Sequence, residues 1–420
     1  MTDNQNQPRD YDAVLGGQSP PPVDGVVLGG IEGVKRSLSN PVIEVRIAAL
    51  SEALKYGDAG LDILIQALQD KSRLVQRFAY RLLKQKVEPQ VKQALQAYKS
   101  WNLEERFNQY QGYQGCYVPQ FANRQVVEFD ANVGIFEPVN NAYALRFEYD
   151  TYENLPSKLS RLLQEPNAEK LEALVFGLWA ETSQTDSSSI VQALVDAKQR
   201  LTNLKAIFIG DLTSEDSEIS WIQQSDISPI LQAYPKLEIL QIRGGDGLQF
   251  SPPIRHNHLK ALIVETEGLS RDTVAQICQM NLPALEHLEL WFGSEDYGGD
   301  CWVEDLNQII FAEKFPNLVY LGLRNSQFTD ELINPIVSSP IINSLSILDL
   351  SMGTLTDVGA EELLNSQAIN NLDILNISEN FLSQEMIDKF SGFDARILAN
   401  NQKAEDEDSY IDGRYCSVSE

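Results

Sequence analysis

The sequence predicts an α/β chain, a repeat solenoid with a parallel sheet inside and helices outside, preceded by a small all-α module. Three observations carry that reading. A hexamer frame, apolar at its first, fourth and sixth positions, starts at Leu171, Leu204, Leu237, Leu259, Leu285, Leu318, Leu345 and Leu372, and every slot is filled by an apolar residue. The steps between frames are 33, 33, 22, 26, 33, 27 and 27 residues, a period at which stacked units each bury one apolar edge against their neighbours. Ahead of the frames, Asn40-Pro41-x-x-x-Val45-Arg46-x-x-Ala49-Leu50 is echoed by Asp70-Lys71-x-x-x-Val75-Gln76-x-x-Ala79-Tyr80, a self-match at 30 residues with helical spacing.

Residues 1–30 are polar and rich in Pro and Gly and read as a flexible arm. The tetrapeptide Val-Leu-Gly-Gly occurs there at Val14 and at Val27, but with neither glycine spacing that cradles phosphate, so no nucleotide cofactor is predicted. Residues 31–100 are the all-α module, with Leu61, Ile65, Leu68, Leu82 and Leu83 on its apolar face. Its paired motif resembles the short HEAT-like repeats of phycobilin-lyase-related and other cyanobacterial proteins. That resemblance implies a helical interaction module and carries no lyase activity. Two such repeats bury little surface, so the pair is expected to dock on the next domain or on a partner.

Residues 101–160 read as a linker and the solenoid's N-terminal cap. Trp101, Tyr110, Tyr113 and Tyr117 punctuate the linker, and two alternating segments, Gln125–Phe129 and Tyr143–Tyr149, read as strands of a capping sheet. Residues 161–400 hold the eight frames. Between them, Thr356 and Ser383 stand where helix N-caps belong, with acids in the first turn that follows. Units of about 27 residues with long outer helices resemble the ribonuclease-inhibitor type of leucine-rich repeat. Gly210-Asp211-Leu212, Leu290-Trp291-Phe292-Gly293, Asp349-Leu350-Ser351-Met352-Gly353 and Asp412-Gly413-Arg414-Tyr415-Cys416 further resemble an uncharacterised bacterial leucine-rich-repeat family, often found with WGR-domain proteins. The family implies the fold and brings no known chemistry, and this chain has no Trp-Gly-Arg triplet of its own. Residues 401–420, with the run Glu405–Asp408, read as a solvated acidic tail whose spacing is not that of a calcium loop.

Asp and Glu number 60 against 33 Lys and Arg, for a formal charge of −27, which repels phosphate backbones and argues against nucleic acid as a partner. The first ten residues lack the basic and apolar stretches of a secretory signal, and no apolar run approaches membrane-spanning length. Four cysteines without a Cys-x-x-Cys pair suit free thiols in a cytoplasmic protein.

No catalytic or metal site is predicted. His258 and His287, with Glu289, are of the right types to hold a divalent ion, but their strand positions differ by about three residues, roughly 10 Å. Gly-x-Ser-x-Gly is absent, and with this many acids any acid/base pair can be imagined, so abundance is no signal.

The frame does predict a binding face. If its three slots point to the core, the third, fifth and seventh residues of each unit point to the inner, concave side. The early repeats place Ala173, Val175, Ala206 and Phe208 there, small or apolar residues suited to being covered. The middle repeats place Arg243, Glu265, His287, Glu289, Trp291, Tyr320, Arg324 and Asp349 there. Trp, Tyr and Arg dominate interface energetics because they bury area and still hydrogen-bond, so these eight are the expected partner-binding patch. The alternative is that Trp291 and Tyr320 simply pack beneath the insertion Gly293–Asp305 that lengthens its repeat. The expected function is a non-catalytic scaffold binding another protein, one with some positive surface charge; an inhibitor or immunity-type regulator that blocks a basic protein such as a nuclease is the rival.

Overall fold

The computed structural model describes residues 30–84, 86–97, 116–147, 153–179, 185–311, 314–405 and 413–418. The chain divides into two units, Met1–Tyr98 and Lys99–Glu420. The arm expected before residue 30, and Trp101, Tyr110 and Tyr113, lie outside the described residues.

In the first unit the described residues form helices α1 (Gly30–Leu38), α2 (Ile43–Ala53), α3 (Gly57–Ala67), α4 (Arg73–Lys84) and α5 (Pro89–Ala97). The two halves of the self-match begin alike. Asn40 Oδ1 accepts from the Val42 amide at 2.9 Å, and Asp70 Oδ1 from the Ser72 amide at 2.7 Å. Arg46 then donates to the Asn40 carbonyl at 2.9 Å, and Gln76 to the Asp70 carbonyl. The buried faces differ, however. Residues 46, 49, 50 and 53 make the inward stripe of α2, which puts Arg46 inside against Asp70 at 3.2 Å and leaves Val45 exposed, whereas Val75, Ala79 and Leu83 are fully buried in α4.

The second unit is one sheet of twelve strands in chain order: β1 (Gln120–Phe121), β2 (Arg124–Glu128), β3 (Asn141–Leu145), β4 (Ala173–Phe176), β5 (Ala206–Ile209), β6 (Ile239–Arg243), β7 (Ala261–Glu265), β8 (His287–Gly293), β9 (Tyr320–Ser326), β10 (Ile347–Asp349), β11 (Ile374–Asn376) and β12 (Arg396–Leu398). Only β1 runs antiparallel to its neighbour. Each frame yields one strand, beginning at the frame's third residue, from β4 to β11. All the frame slots fall in a single apolar core shared with the helices, as their alternation requires. This is a leucine-rich-repeat-like architecture.

Register adds strands the frame does not find. Arg396 pairs with Ile374, so the first slot of the β12 unit is Asp394, which breaks the pattern. Tyr143 pairs with Leu174, which puts Asn140 in the first slot of β3. The two expected capping strands are therefore β2 and β3 of the main sheet itself, with the short β1 ahead of them.

Helices on the other side of the strands are shorter than the ribonuclease-inhibitor type suggested. Of α6 (Leu155–Leu162), α7 (Ser188–Ala197), α8 (Ser228–Ala233), α9 (Arg271–Gln279), α10 (Asn307–Ile310) and α11 (Thr329–Ser338), the longest, α7 and α11, run 10 residues. The 22-residue step between frames has no helix at all between β6 and β7. After α12 (Ile341–Ser344), the predicted N-caps open α13 (Asp357–Asn365), where Thr356 accepts from Val358, and α14 (Gln384–Lys389), where Ser383 accepts from Met386.

One expectation is corrected. Residues 413–418 are no solvated tail: Cys416 and Val418 are buried, and Val418 belongs to the main core. Asp406–Asp412 lie outside the described residues. Among those described, no helix is long and apolar enough to cross a membrane.

Candidate interaction site

The cross-strand registers reproduce the columns read from the sequence. Ala173, Ala206, Ile239, Ala261, His287, Tyr320, Ile347 and Ile374 are successive partners from β4 to β11, and so are Val175, Phe208, Gln241, Ile263, Glu289, Gly322, Asp349 and Asn376. Farther along the strands Arg243 faces Glu265, and Trp291 faces Arg324. The eight candidates thus share the face that carries no helices.

They do not form the exposed patch that alternation alone suggested. Exposure runs from 0% for Glu289 and Tyr320 to 5% for Trp291, with Arg243, Glu265, His287, Arg324 and Asp349 between. The physical reason is that their polar ends turn toward one another. Arg243 Nε donates to Glu265 Oε2 at 2.9 Å and Arg243 Nη1 to the Leu212 carbonyl at 3.0 Å, while Gln241 donates to Glu265 Oε1 at 3.0 Å.

Glu289 is the hub of the next group. Its Oε1 accepts from Trp291 Nε1 and Arg324 Nη1, both at 2.8 Å, and its Oε2 from His287 Nε2 at 3.2 Å, which requires the proton on that nitrogen. The His287 ring stacks on Tyr320 with centroids 3.9 Å apart, and the Arg324 guanidinium lies 5.1 Å from the Trp291 ring centroid. Tyr320 donates to Asp349 Oδ2 at 3.0 Å, as does Asn376, and the other oxygen of Asp349 accepts from Ser351 N at 3.0 Å and Ser351 Oγ at 2.6 Å. Gly322 makes this possible. A Cβ there would stand 2.9 Å from the Tyr320 ring and 3.0 Å from Glu289 Cγ. Charges taken out of water at such cost persist only when paired and fully hydrogen-bonded.

Over the early strands the same face is dry. Val118, Phe121 and Ala122 cover Ala142, Ala144, Ala173, Val175, Ala206 and Phe208, with Phe121 and Phe208 ring centroids 5.8 Å apart. A charged clasp that sequence reasoning missed pins this cover. Arg146 bridges Glu128 and the buried Asp211, stacks 3.9 Å over Tyr117, and Asp211 Oδ1 accepts from the Val118 amide at 3.1 Å. Its one trace in the sequence was the Gly210-Asp211-Leu212 motif.

The three histidines play separate parts. His256 Nδ1 accepts from the Leu259 amide at 2.9 Å, so Nε2 carries the proton toward the Tyr234 carbonyl, and burial holds the pKa below its ordinary value. His258 is exposed and meets the Pro235 carbonyl at 2.9 Å, while His287 sits in the network described above. The insertion folds back on the preceding repeat. Gly293, with φ of +67°, lies so close to the Glu267 carbonyl that no Cβ fits, and Ser294 N donates to that carbonyl at 2.8 Å. Asp300 accepts from Arg271 N at 2.7 Å, and burial pushes the Cys301 thiol up to about 12, leaving it no nucleophile. Tyr320 contacts His287 and Asp349 along the face. Trp291 meets Glu289 and Arg324 there while also belonging to the main apolar core that includes Phe292 and the insertion's Cys301.

No protein-family model matches the chain, and no curated protein does. Among solved structures, an internalin from Listeria monocytogenes is 16% identical, with 62% of this chain and 66% of that one covered, but its TM-score of 0.31 is too loose to argue from. A protein from Bacteroides fragilis is 30% identical over 65% of this chain and 77% of its own, with a TM-score of 0.59. At that identity and coverage the chain belongs to the same family as the Bacteroides fragilis protein.

Proposed function

We propose that the protein is a non-catalytic interaction scaffold whose helix-free face, over β6 to β10, selects a partner protein. The observation that carries this reading is the constellation around Glu289. Glu289 and Asp349, with Arg324, His287, Trp291 and Tyr320, are held by hydrogen bonds and stacking, and the Arg243–Glu265 pair forms a second buried group on the neighbouring strands. A fold needs no such group for its core, which the frame already supplies. At 0–5% exposure these side chains set the shape and field of the site's floor and are not projecting contacts. Preorganised aromatic and arginine clusters are the kind of feature on which interfaces concentrate their energy. The helical unit is a HEAT-like interaction module in its own right, and the protein works in the cytoplasm.

The test is recovery of tagged full-length protein from its native cells, as wild type and as Trp291→Ala and Arg324→Glu, with far-UV circular dichroism on each to establish folding. The same folded variants retaining every partner would end the assignment. The formal charge of −27 favours one second reading, an inhibitor that blocks a basic protein. Such a complex forms by electrostatic steering, so its on-rate falls steeply as salt rises, while that of an apolar-anchored scaffold does not.

A further inference from the structure

Residues 413–418 cross the rim of the sheet where β8 to β11 end, and the body holds their backbone at Tyr415, Ser417 and Val418. Arg414 is paired to Asp330 at 3.6 Å, Ser417 Oγ donates to the Glu379 carbonyl at 3.4 Å, and Tyr415 stands edge-on to Phe381. Ser417 N donates to the Met352 carbonyl at 2.8 Å. The Asn325 carboxamide takes the Val418 peptide from both sides, its Oδ1 accepting from Val418 N and its Nδ2 donating to Val418 O, each at 3.0 Å. Lys403 Nζ donates to the Tyr415 carbonyl at 2.5 Å while lying 4.7 Å from the Phe381 ring and 5.0 Å from that of Tyr415. Side chains alternate between body and solvent: Tyr415 is exposed, Cys416 buried, Ser417 half-buried and Val418 buried. Cys416 Sγ reaches the Gly293 carbonyl at 3.5 Å.

Backbone bonds for affinity and alternate side-chain pockets for specificity are how proteins hold an extended peptide ligand. A plain end-cap would cover the open edge of the last strand, yet besides Lys403 beyond β12 the bonds run to Gly293 and Asn325 at the ends of β8 and β9 and to Met352 just past β10. Asn325 is itself fully buried, at a φ of +50°, with both ends of its carboxamide committed to the backbone N–H and C=O of one residue, Val418.

We propose that this rim is a peptide-binding groove now filled by the chain's own Gly413–Val418, and that it exchanges this occupant for an extended segment of the partner protein with the same pattern: a small apolar or thiol residue, a serine, then a β-branched residue. The inference rests on the scaffold reading and names the form in which the partner is held.

The experiment uses the full chain, a fluorescent peptide of residues 413–418, and anisotropy. Val418→Asp loosens the resident segment, so that variant is expected to bind the peptide at least tenfold more tightly than wild type, and adding Asn325→Leu abolishes the gain. Equal affinity in wild type and Val418→Asp, or a gain that survives Asn325→Leu, overturns the groove. Hydrogen exchange on wild type supplies an arm that needs no variant. The Ser417 and Val418 amides are expected to exchange at least tenfold faster than those of β9 and β10, and exchange in step with those strands means a fixed part of the body and no groove. Peptide exchange with no partner recovered by the inner-face experiment keeps the groove and sinks the scaffold face; the reverse pattern sinks the groove alone.

Discussion

Over β3 to β5 the helix-free face is closed by alanines, valines and two phenylalanines in tilted contact, whereas over β6 to β10 it is closed by arginines, carboxylates and aromatic rings with hydrogen bonds between them. Both halves rest on the same apolar frame and the same strand register. The contrast shows that the repeat dictates one face only. The other is free to be closed by apolar or by polar groups, and here it is closed by both along a single sheet.

The two halves should also fail differently. The largest effect is expected in the polar half. Glu289→Ala strands Arg324 and the Trp291 indole N–H without an acceptor they now share, at a cost of about 3–5 kcal/mol in urea unfolding. The double variant Glu289→Leu/Arg324→Met removes both charges and should recover most of that loss, a non-additivity that a double-mutant cycle reads directly. In the dry half, Phe121→Ala should cost about 3 kcal/mol, the lower end for a buried phenylalanine, and should add simply to substitutions in the polar half.

Gly322→Ala comes next. Its Cβ meets the Tyr320 ring and Glu289 Cγ at 3 Å or less, so overpacking of about 1–3 kcal/mol is expected on the same assay, together with loss of the His287–Tyr320 stack. The smallest effect is on the rim. Burial lowers the Lys403 ammonium to about 8, against an ordinary 10.5. Between those values the unfolded chain keeps a proton that the folded chain has released, so stability rises with pH through that window, and below pH 8 the folded state bears the full cost of the buried charge. Relative to Lys403→Met, wild type should therefore gain melting temperature between pH 8 and pH 10, and a constant gap would contradict the buried-charge account.

Most of the architecture was legible because a strand's alternation and a unit's period leave marks that survive substitution. Eight frames gave eight strands, and the columns read from them are the observed cross-strand partners. Strand β12 escaped because Asp394 occupies its first slot, and β3 was legible only from its alternation because Asn140 occupies its own. The members of the site were legible for the same reason, but their burial was not. Alternation states which face a side chain takes, not whether neighbours such as His287 and Tyr320, or Arg324 and Glu289, will close over one another. Arg146 and residues 413–418 were invisible for a further reason. Their partners, Asp211, Asn325 and Met352, lie 65 to 93 residues away, and no local pattern encodes such a contact.

The claim that the polar half of the face selects the partner is tested most directly by one comparison of co-purifying proteins. Tagged Glu289→Leu/Arg324→Met, which removes that one charge pair, is set against tagged Phe208→Leu in the dry half, with folding checked for both and each normalised to wild type. The account predicts that the double variant loses the partners that Phe208→Leu keeps. Identical partner sets from the two variants would contradict it.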